Sequence, residues 1–351
     1  MPVMKIGKKI IGDGHPVFIV AEISGNHNQD FARAKALVEA ACRTGVDAVK
    51  LQTYTPDTLT IESKEKWFLV GSKNNKDWQG MTLHQLYQTA YTPWEWYKDL
   101  KKITDKYGVI LFSAPFDETA VDFLESMHVP LYKIASYEMV DLELLKKVAR
   151  TKKPVIISKA MAFADDAALA IKTLRKYGAR DIAMLHCVDA YPSKPEDMNL
   201  ATIPDIARRF KVVAGVSDHS LGIVTALTSV FLGGHIIEKH ITLKRSDGGP
   251  DAAFSLEPHE FKDLVDAVRD AEKAVGKVFY GVAKGEKANM IFKRSLFVVK
   301  DIKAGEKLTR ENVRCIRPGF GLAPKELLKV LGKKAKKNID RGTPLSWNLV
   351  T

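Results

Sequence analysis

Short apolar runs alternate with amphipathic segments along the first 280 residues of the chain. Each run is short enough for a buried strand, and the segment after it carries apolar residues at helical spacing. This alternation predicts an α/β protein with a parallel sheet, and eight such units favour a closed (β/α)8 TIM barrel over an open doubly wound sheet. No GxGxxG motif follows the first run, which argues against a dinucleotide-binding fold. The eight predicted strands are 17–22, 47–52, 109–113, 131–135, 154–158, 181–186, 212–216 and 234–239.

The pattern changes after the eighth unit. The last barrel helix is predicted over about 257–275, and a segment rich in glycine and lysine follows it. The remaining residues form short strand-like pieces between glycine turns, which are typical of a compact β-rich domain. We therefore predict a barrel domain at 1–280, a linker at 281–293 and a small C-terminal domain at 294–351.

The second unit contains a long insertion, roughly 57–96, with four tryptophans. An irregular stretch of this length is more often functional than idle. Trp78 is the tryptophan that we predict to line a substrate, whereas Trp94 and Trp96, beside Pro93, are predicted to cover the helices of the barrel.

The net charge of +12 is concentrated near the end of the 351 residues, of which 46% are hydrophobic, enough for a large core and too many for a disordered chain. Residues 281–351 hold 17 Lys and Arg against 6 Asp and Glu, whereas the first 280 residues hold 37 against 36. A basic tail can indicate a nucleic-acid partner. This one lacks the interleaved aromatic residues of a stacking platform, so we predict a solvated face and no nucleic-acid partner.

Compartment and membrane signals predict a cytoplasmic protein. The three cysteines, Cys42, Cys187 and Cys315, are far apart and include no CxxC pair, which fits a reducing cytoplasm. The 18 residues Ser220–Ile237 carry no Asp, Glu, Lys or Arg, which just reaches the length of a membrane span. They contain several glycines and hydroxyl residues, so we predict a buried helix, a glycine turn and a short strand, and no membrane association.

Unusual polar residues fall at or just beyond the C-terminal ends of the predicted strands. In a TIM barrel these ends form the face on which barrel enzymes carry out chemistry. A single histidine there is more often a hydrogen-bonded core residue, and a single lysine is usually a surface group. The joint placement of many such residues on one rim favours a functional site. The rim residues are Glu22, Asn26, His27, Lys50, Gln52, Ser113, Lys133, Ser136, Ser158, Tyr191, Ser217, Asp218, His219, Glu238 and His240.

The chemistry of the rim suggests an anion subsite beside a metal ion. Lys50 and Lys133, with several hydroxyl groups, suggest binding of a phosphate or carboxylate. His219 and His240 follow neighbouring strands, so they could share one divalent ion. Two imidazoles without a thiolate favour an open, six-coordinate site for Mn²⁺, with Mg²⁺ or Co²⁺ as alternatives, over a closed structural zinc site. The competing interpretation is that one histidine only hydrogen-bonds the loop of the other.

The rim motifs resemble those of the sialic acid synthases, which condense phosphoenolpyruvate with an amino sugar. The resemblance extends over nearly the whole chain, and the basic tail is similar to the antifreeze-like (SAF) domain of this family. Residues 90–96 and 317–322 are most similar to the pseudaminic acid synthases within it. The runs that carry the resemblance are Ala21-Glu22-Ile23, Asn26-His27, Lys50-Leu51-Gln52-Thr53, Tyr132-Lys133-Ile134-Ala135-Ser136, Tyr191-Pro192, Gly215-Val216-Ser217-Asp218-His219, Glu238-Lys239-His240, Asp251, Phe254-Ser255-Leu256 and Arg317-Pro318-Gly319-Phe320-Gly321.

The resemblance implies a role for each of these positions. His219 and His240 match the metal ligands, and Glu22 matches the acid beside the reacting carbons. Arg317 matches an arginine that the tail domain of one subunit places over its partner's barrel, which implies a domain-swapped homodimer. The implied phosphoenolpyruvate subsite is Lys50, Lys133, Ser136, Ser158 and Ser217. The implied sugar side is Tyr191, Glu238 and Asp251, and the predicted substrate-binding set is completed by Gln52 and Ser113.

Two motifs depart from the family pattern. Ser158-Lys159-Ala160-Met161 stands where the family has Ser-Thr-Gly-Met, and Ser113-Ala114-Pro115-Phe116 stands where it has Ser-Thr-Pro-Phe. A lost threonine hydroxyl and an added lysine leave the phosphate contacts open.

The function implied is condensation of phosphoenolpyruvate with an open-chain amino sugar and water, to give a nonulosonic acid and phosphate. The expected sugar is 2,4-diacetamido-2,4,6-trideoxy-L-altrose, with N-acetylneuraminate or legionaminate synthesis as the alternative. Two hypotheses from other functional classes stay open. One is a Schiff-base aldolase that uses Lys50 or Lys133 as its nucleophile. The other is a non-enzymatic protein that binds anionic polymers through the basic tail.

Overall fold

The structure is a computed structural model and describes residues 2–71 and 78–351. The chain divides into two compact units, Met1–Gly276 and Lys277–Thr351. The finer division into a linker and a small domain stays a prediction.

Eight parallel strands of the first unit close into a barrel in the order β10-β3-β4-β5-β6-β7-β8-β9, as predicted. Each barrel strand overlaps the strand predicted at that place, because short apolar runs bounded by turns are a strong local signal. The strands of the chain are β1 (Val3–Ile6), β2 (Lys9–Gly12), β3 (Phe18–Glu22), β4 (Ala48–Thr53), β5 (Ile110–Pro115), β6 (Tyr132–Ile134), β7 (Val155–Lys159), β8 (Ile182–Cys187), β9 (Val213–Asp218), β10 (Ile236–His240), β11 (Ser295–Val298) and β12 (Val313–Ile316).

A helix follows each barrel strand, which completes the eight βα units. Polar side chains cap several of these helices; for example, Asp30, Asp117 and Asp141 each accept hydrogen bonds from backbone N–H groups of the first turn. The helices are α1 (Phe31–Arg43), α2 (Pro56–Leu59), α3 (Leu83–Ala90), α4 (Tyr97–Tyr107), α5 (Glu118–Ser126), α6 (Leu142–Arg150), α7 (Ala164–Tyr177), α8 (Thr202–Phe210), α9 (Val224–Phe231), α10 (Pro258–Val275) and α11 (Leu327–Val330).

The N-terminal end of the barrel is filled by a hairpin that the sequence pattern did not predict. Strands β1 and β2 pair in antiparallel fashion, and Met4, Ile6 and Ile11 are buried against the barrel interior. Phe18 and Val20 of β3 belong to the same apolar cluster. Four-residue strands give too short an alternation to stand out, so this hairpin carried little signal.

The insertion in the second unit is partly helical. Thr82 is the N-cap of helix α3. Its side chain accepts from the Gln85 N–H, and the Gln85 side chain accepts from the Thr82 N–H, which is a capping box. Trp78 lies just before this helix.

The uncharged stretch Ser220–Ile237 folds as predicted into a helix, a glycine turn and the start of a strand. Helix α9 is followed by Gly233 and Gly234, and β10 then enters the barrel wall. Gly233 has a φ of +82°, a left-handed conformation that favours glycine. In the described part of the chain, the structure contains no helix long and apolar enough to span a membrane.

The second unit is a small β-rich domain, as predicted. Strands β11 and β12 pair in antiparallel fashion, and isolated bridges such as Ile302 with Ile339 tie further segments together. Its own apolar core contains Leu296, Val298, Ile302, Leu308, Val313, Val330, Ala335, Ile339, Leu345, Leu349 and Val350.

Asp218 and Lys239 form a buried ion pair that joins the last two barrel strands. The strand register sets the two residues opposite each other, and Lys239 Nζ lies 2.8 Å from Asp218 Oδ2. The same ammonium donates to Ser220 O at 2.7 Å, and Asp218 Oδ1 accepts from Ser220 N at 2.8 Å. Ser217 and Glu238 line the barrel cavity, so these alternate residues face the helices instead.

Replacing Lys239 by Met should lower the free energy of unfolding by about 3 to 5 kcal/mol, because the Asp218 carboxylate stays buried without its counter-charge. Urea denaturation followed by circular dichroism measures this loss. The double variant Asp218→Asn/Lys239→Met should recover more than half of it. The control is Lys101→Met, which removes an exposed ion pair with Asp105 and should lose less than about 1 kcal/mol. A Lys239→Met loss as small as that of the control would contradict this account.

Candidate active site

The alternation of side chains along each strand carries polar residues to the upper end of the barrel. Phe18 and Val20 point into the apolar interior, and Glu22 is the next residue of β3 with the same orientation. On β10, Ile236 belongs to the interior cluster, while Glu238 and His240 follow it at the period of two and line the cavity. The same local rule that builds the apolar core therefore places the polar residues above it.

Two lysines and two glutamates lie buried together near the floor of the cavity. Lys50 Nζ is 2.9 Å from Glu22 Oε2 and 3.3 Å from Glu238 Oε1. Lys133 Nζ is 3.4 Å from Glu238 Oε1 and donates to Ser158 Oγ at 2.8 Å. The four charged side chains are at most 5% exposed. Two ammonium and two carboxylate groups thus balance in charge inside the barrel.

Burial and the neighbouring charges together shift the four pKa values in different directions. Burial raises the pKa of Glu22, with Lys50 opposing this and Glu238 adding to it. Burial also acts against ionised Glu238, but the ammonium groups of Lys133 and Lys50 outweigh it and lower the pKa of that carboxyl. For Lys50, the two carboxylates overcome burial and raise its pKa, whereas burial lowers the pKa of Lys133.

Glu22 lies directly beneath the cavity rather than on its lining. It is fully buried, and its Oε1 accepts from Gln52 Nε2 at 2.8 Å. Gln52 and Lys50 both contact the Glu22 carboxylate and line the cavity, so they connect this carboxylate with the cavity surface.

His219 and His240 meet at the tops of the neighbouring strands β9 and β10. Their ring centroids are 5.2 Å apart and the ring planes are at 74°. His219 Nδ1 donates to Val188 O at 3.1 Å, which leaves Nε2 as the nitrogen with a free lone pair in that tautomer. Among the described residues, His240 Nδ1 has no hydrogen-bond partner although it is buried; Asp251 Oδ2 lies 3.7 Å away.

The protonation of these imidazoles suits a metal ion. Burial lowers the pKa of His219, with Asp189 opposing it, and burial lowers the pKa of His240 well below its ordinary value, helped by His219 and Lys50. Metal ligation needs neutral imidazole, and a metal-bound histidine usually donates its other N–H to a carbonyl or carboxylate. The pair fits the divalent ion that the sequence predicts at this place.

Asp189 organises the wall beside His219 and was not predicted. Its Oδ2 accepts from Ser136 Oγ at 2.5 Å, and its Oδ1 accepts from Tyr191 OH at 3.2 Å and from Cys187 Sγ at 3.3 Å. The Tyr191 ring in turn packs 4.7 Å from the His219 ring. Asp189 follows the end of β8 by two residues, so the strand-end rule could have found it.

Two residues of this wall belong, with His219, to a second group of potential metal ligands. Within the described chain, Cys187, Asp189 and His219 each place one donor atom within 4.8 Å of the others. His219 belongs to the sequence-predicted pair, and His240 does not belong to this group. His219 is thus shared by this group and by the predicted pair with His240.

These side chains surround a cavity of about 390 Å³ at the C-terminal end of the strands. That volume lies in the ordinary range for small-molecule sites. The predicted site residues on its lining are Lys50, Gln52, Lys133, Ser136, Ser158, Tyr191, Ser217, His219, Glu238, His240 and Asp251.

The opposite side of the cavity is apolar and comes mainly from the insertion after β4. Trp78, the tryptophan predicted to line a substrate, lies on this wall with its ring 6.5 Å from Tyr191. Within residues 2–71 and 78–351, the buried Trp78 Nε1 has no hydrogen-bond partner. We call this surface the apolar wall; it consists of Leu59, Leu69, Val70, Trp78, Leu83, Leu86, Tyr87 and Phe116.

Besides Glu22, two predicted site residues are not on the cavity lining. Ser113 follows the inward-facing Phe112 by one position, and its Oγ shares a hydrogen bond with Thr53 Oγ1 at 2.7 Å. Arg317 belongs to the second unit, where its guanidinium lies 6.0 Å from the Phe292 ring. Its role toward a partner subunit stays a prediction.

Asn26 and His27 on the rim hold the barrel together. Asn26 Nδ2 donates to Ile241 O and to Ser255 Oγ, both at 2.9 Å, which ties the loop after β3 to the loop after β10. His27 is fully buried and shares a hydrogen bond with Thr92 Oγ1 at 3.1 Å. It is the satisfied core histidine that a lone strand-end histidine usually is.

Comparison with known proteins places this site in a family. The sequence profile of the NeuB family matches residues 37–280, and that of the SAF domain matches residues 293–351. Pseudaminic acid synthase of Helicobacter pylori is 43% identical to the chain, over 94% of this chain and 97% of that protein. N,N'-diacetyllegionaminic acid synthase of Legionella pneumophila is 34% identical, over 97% and 96%. The crystal structure of the sialic acid synthetase of Leptospira borgpetersenii, in complex with citrate, superposes with a TM-score of 0.73 at 29% identity, over 82% and 95%.

Glu138 generates a prediction for the pH dependence of stability. Burial raises the pKa of this cavity residue from 4.5 to about 7, and within the described chain its Oε2 has no hydrogen-bond partner. A carboxyl whose pKa is higher in the folded state adds stability at pH values below its unfolded pKa, and this is lost as pH rises through the folded pKa. The free energy of unfolding of the wild type, relative to Glu138→Gln, should therefore fall by up to about 3 kcal/mol between about pH 4.5 and pH 8.

Urea denaturation of both proteins at several pH values measures this difference. The matched control is Glu196→Gln at an exposed position, whose profile should run parallel to that of the wild type. A Glu138→Gln profile that also runs parallel would show that the Glu138 carboxyl does not titrate abnormally.

Proposed function

This chain belongs to the NeuB family, and we propose that it is a nonulosonic acid synthase. It would join C3 of phosphoenolpyruvate to the aldehyde carbon of an open-chain amino sugar, add water at C2 and release phosphate by cleavage of the carbon-oxygen bond. The observation that carries the proposal is the cavity floor itself. Two imidazoles from neighbouring strands line the same cavity as two buried lysines, which pair with two buried glutamates at one end of the barrel.

The lysines and hydroxyl groups would hold the anionic groups of phosphoenolpyruvate. Lys50 and Lys133 both line the cavity, with Ser136, Ser158 and Ser217 around them. An anion at 4 Å from one ammonium gains about 4 kcal/mol at an effective dielectric of 20. A phosphate would compete with Glu22 and Glu238 for these ammonium groups, so binding should loosen the ion pairs on the floor.

Glu22 would act on the carbon that becomes the ketone. Once Lys50 turns to the phosphate, the Glu22 carboxylate can stabilise the positive charge that develops at C2 and accept a proton from the attacking water. Its raised pKa makes it a stronger base near neutral pH than an ordinary carboxylate. Gln52, which donates to Glu22 Oε1, would keep the carboxylate in place.

His219 and His240 would hold the divalent ion, most simply Mn²⁺ in an open site. When bound, such an ion supplies Lewis-acid polarisation of the sugar aldehyde. The hydrogen bond from His219 Nδ1 to Val188 O fixes the orientation of one ring. Asp251, whose pKa burial raises to about 6, stands beside the other ring on the proposed sugar side.

The apolar wall supports a sugar rich in methyl groups. The expected substrate, 2,4-diacetamido-2,4,6-trideoxy-L-altrose, carries two acetyl methyls and a C6 methyl, and each buried methyl adds roughly 0.8 kcal/mol. The higher identity to a pseudaminic acid synthase than to a legionaminic acid synthase points the same way. We therefore propose pseudaminic acid as the product, formed by a domain-swapped homodimer in which Arg317 of one subunit completes the site of the other.

Phosphate release from phosphoenolpyruvate tests the proposal directly. The protein is assayed with a panel of N-acetylmannosamine, the diacetamido altrose and its legionaminic acid counterpart, with and without EDTA. We expect release with the diacetamido altrose above the others, loss of at least about 90% with EDTA, and recovery with Mn²⁺. If no sugar of the panel supported phosphate release in the presence of Mn²⁺, the proposal that the protein is a synthase would be refuted.

A Schiff-base aldolase is the second candidate, because burial lowers the pKa of Lys133, as a nucleophilic lysine requires. Borohydride would then trap a covalent sugar or pyruvate adduct on Lys133, and the reaction would survive EDTA. Adduct formation together with EDTA resistance would favour this candidate over the synthase.

Glu22→Gln should keep the fold and lower kcat at least about 100-fold, because an amide cannot accept the proton of the attacking water. Single-turnover phosphate release at saturating substrates measures the loss, and circular dichroism checks the fold. Glu39→Gln on the outer face of the barrel is the control. A kcat of Glu22→Gln within about fivefold of the wild type would show that Glu22 has no catalytic role.

A further inference from the structure

Three potential metal-ligand atoms lie close together near the end of β8: Cys187 Sγ, Asp189 Oδ1 and His219 Nδ1. Cys187 Sγ is 3.3 Å from Asp189 Oδ1 and 3.8 Å from His219 Nδ1. His219 Nδ1 is 3.9 Å from Asp189 Oδ1. The backbone adds a fourth potential ligand atom, since Val188 O lies 3.1 Å from the same nitrogen.

These separations match the edges of a tetrahedral metal site. Zinc bonds of about 2.3 Å to sulfur and about 2.0 to 2.2 Å to nitrogen and oxygen give ligand-to-ligand edges of roughly 3.4 to 3.6 Å. The three observed edges differ from these values by less than about 0.5 Å, so small side-chain movements would suffice to enclose an ion. Cd²⁺ is larger than Zn²⁺ and would fit the two longer edges without contraction.

The donor set also has its supporting partners in place. Asp189 Oδ2 is fixed by Ser136 Oγ, and its Oδ1 by Tyr191 OH, which orients the carboxylate as outer hydrogen bonds do in metal sites. Cys187, Asp189 and His219 all line the cavity, which gives an ion a path from solvent.

We propose that Cys187 Sγ, Asp189 Oδ1 and His219 Nδ1 form a binding site for one thiophilic divalent cation, Zn²⁺ or Cd²⁺. Thiolate ligands select such ions over Mn²⁺ and Mg²⁺. Binding transfers the thiol proton to solvent and moves the imidazole proton from Nδ1 to Nε2. His219 then has no lone pair left for an ion shared with His240, so a thiophilic ion inhibits by capturing this histidine.

Cadmium titration of the metal-free protein tests the site without any assay of the reaction. The thiolate-to-cadmium charge-transfer band in the ultraviolet reports ligation by sulfur. Cys42→Ala/Cys315→Ala keeps only Cys187 and should show the band saturating at one equivalent. Its matched control, Cys42→Ala/Cys187→Ala/Cys315→Ala, should show none. Both variants carry Cys42→Ala and Cys315→Ala, so they differ only at Cys187. If those two substitutions impair folding, Cys187→Ala is compared with the native chain instead.

Measurements of cadmium affinity and of Mn²⁺ displacement test the other two proposed ligands, Asp189 and His219. In the chain that keeps only Cys187, Asp189→Asn should weaken cadmium binding at least about tenfold. The electron paramagnetic resonance of free Mn²⁺ tests the shared histidine: Cd²⁺ should displace bound Mn²⁺ from the wild type at about one equivalent, whereas Cys187→Ala should need at least about tenfold more. A missing band, a cadmium affinity unchanged by Asp189→Asn, or equal displacement of Mn²⁺ from both proteins would overturn the proposal.

The test separates this inference from the proposed reaction. A cadmium site at Cys187 in a protein without synthase activity would leave the inference standing and refute the function. Synthase activity without the cadmium band would do the reverse.

Discussion

The pairing of two buried ammonium groups with two buried carboxylates is the interaction on which the site depends. A charge moved from water into a protein interior costs several kcal/mol unless a partner compensates it. Lys50 is compensated by Glu22 and Glu238, and Lys133 by Glu238 and the hydroxyl of Ser158. The barrel can therefore carry a polar layer directly above an apolar one. An anionic ligand that takes over the lysines changes the charge felt by both glutamates at once, which couples binding to the state of Glu22.

Barrel closure turns this local pairing into a defined geometry. The register sets His240 opposite Glu22 and Glu238 opposite Ser217, so the groups proposed for the metal and for the anion come from strands that are hydrogen-bonded to each other. On the outer face, the ion pair of Asp218 with Lys239 joins the same two strands that carry the imidazoles. A shift of one residue in that register would turn every one of these side chains to the opposite face of the wall.

Much of this arrangement could be predicted from the sequence because it is governed by short-range rules. Apolar runs marked the strands, and strand ends marked Lys50, Lys133, His219 and His240. Phe112 in the interior shows why Ser113 falls on the other face, a parity that the strand-end rule alone ignores. The sequence pattern gave no sign of the β1–β2 hairpin, since its strands are too short. The strand-end rule could have marked Asp189, but its hydrogen bonds, like the burial of Glu138, depend on the folded cavity, which a single sequence does not show.

In the two proposed metal sites, the position of His219 would make the choice between metals depend on geometry as well as on affinity. Imidazole has two nitrogens whose in-plane directions diverge, and only one of them carries a free lone pair in the neutral form. The carbonyl of Val188 holds the proton on the nitrogen that faces the thiol and carboxylate, so the other nitrogen is available beside His240. An ion that prefers oxygen and nitrogen gains nothing from Cys187 and has no reason to break that hydrogen bond. An ion that prefers sulfur gains a thiolate, and this gain is what can reverse the tautomer.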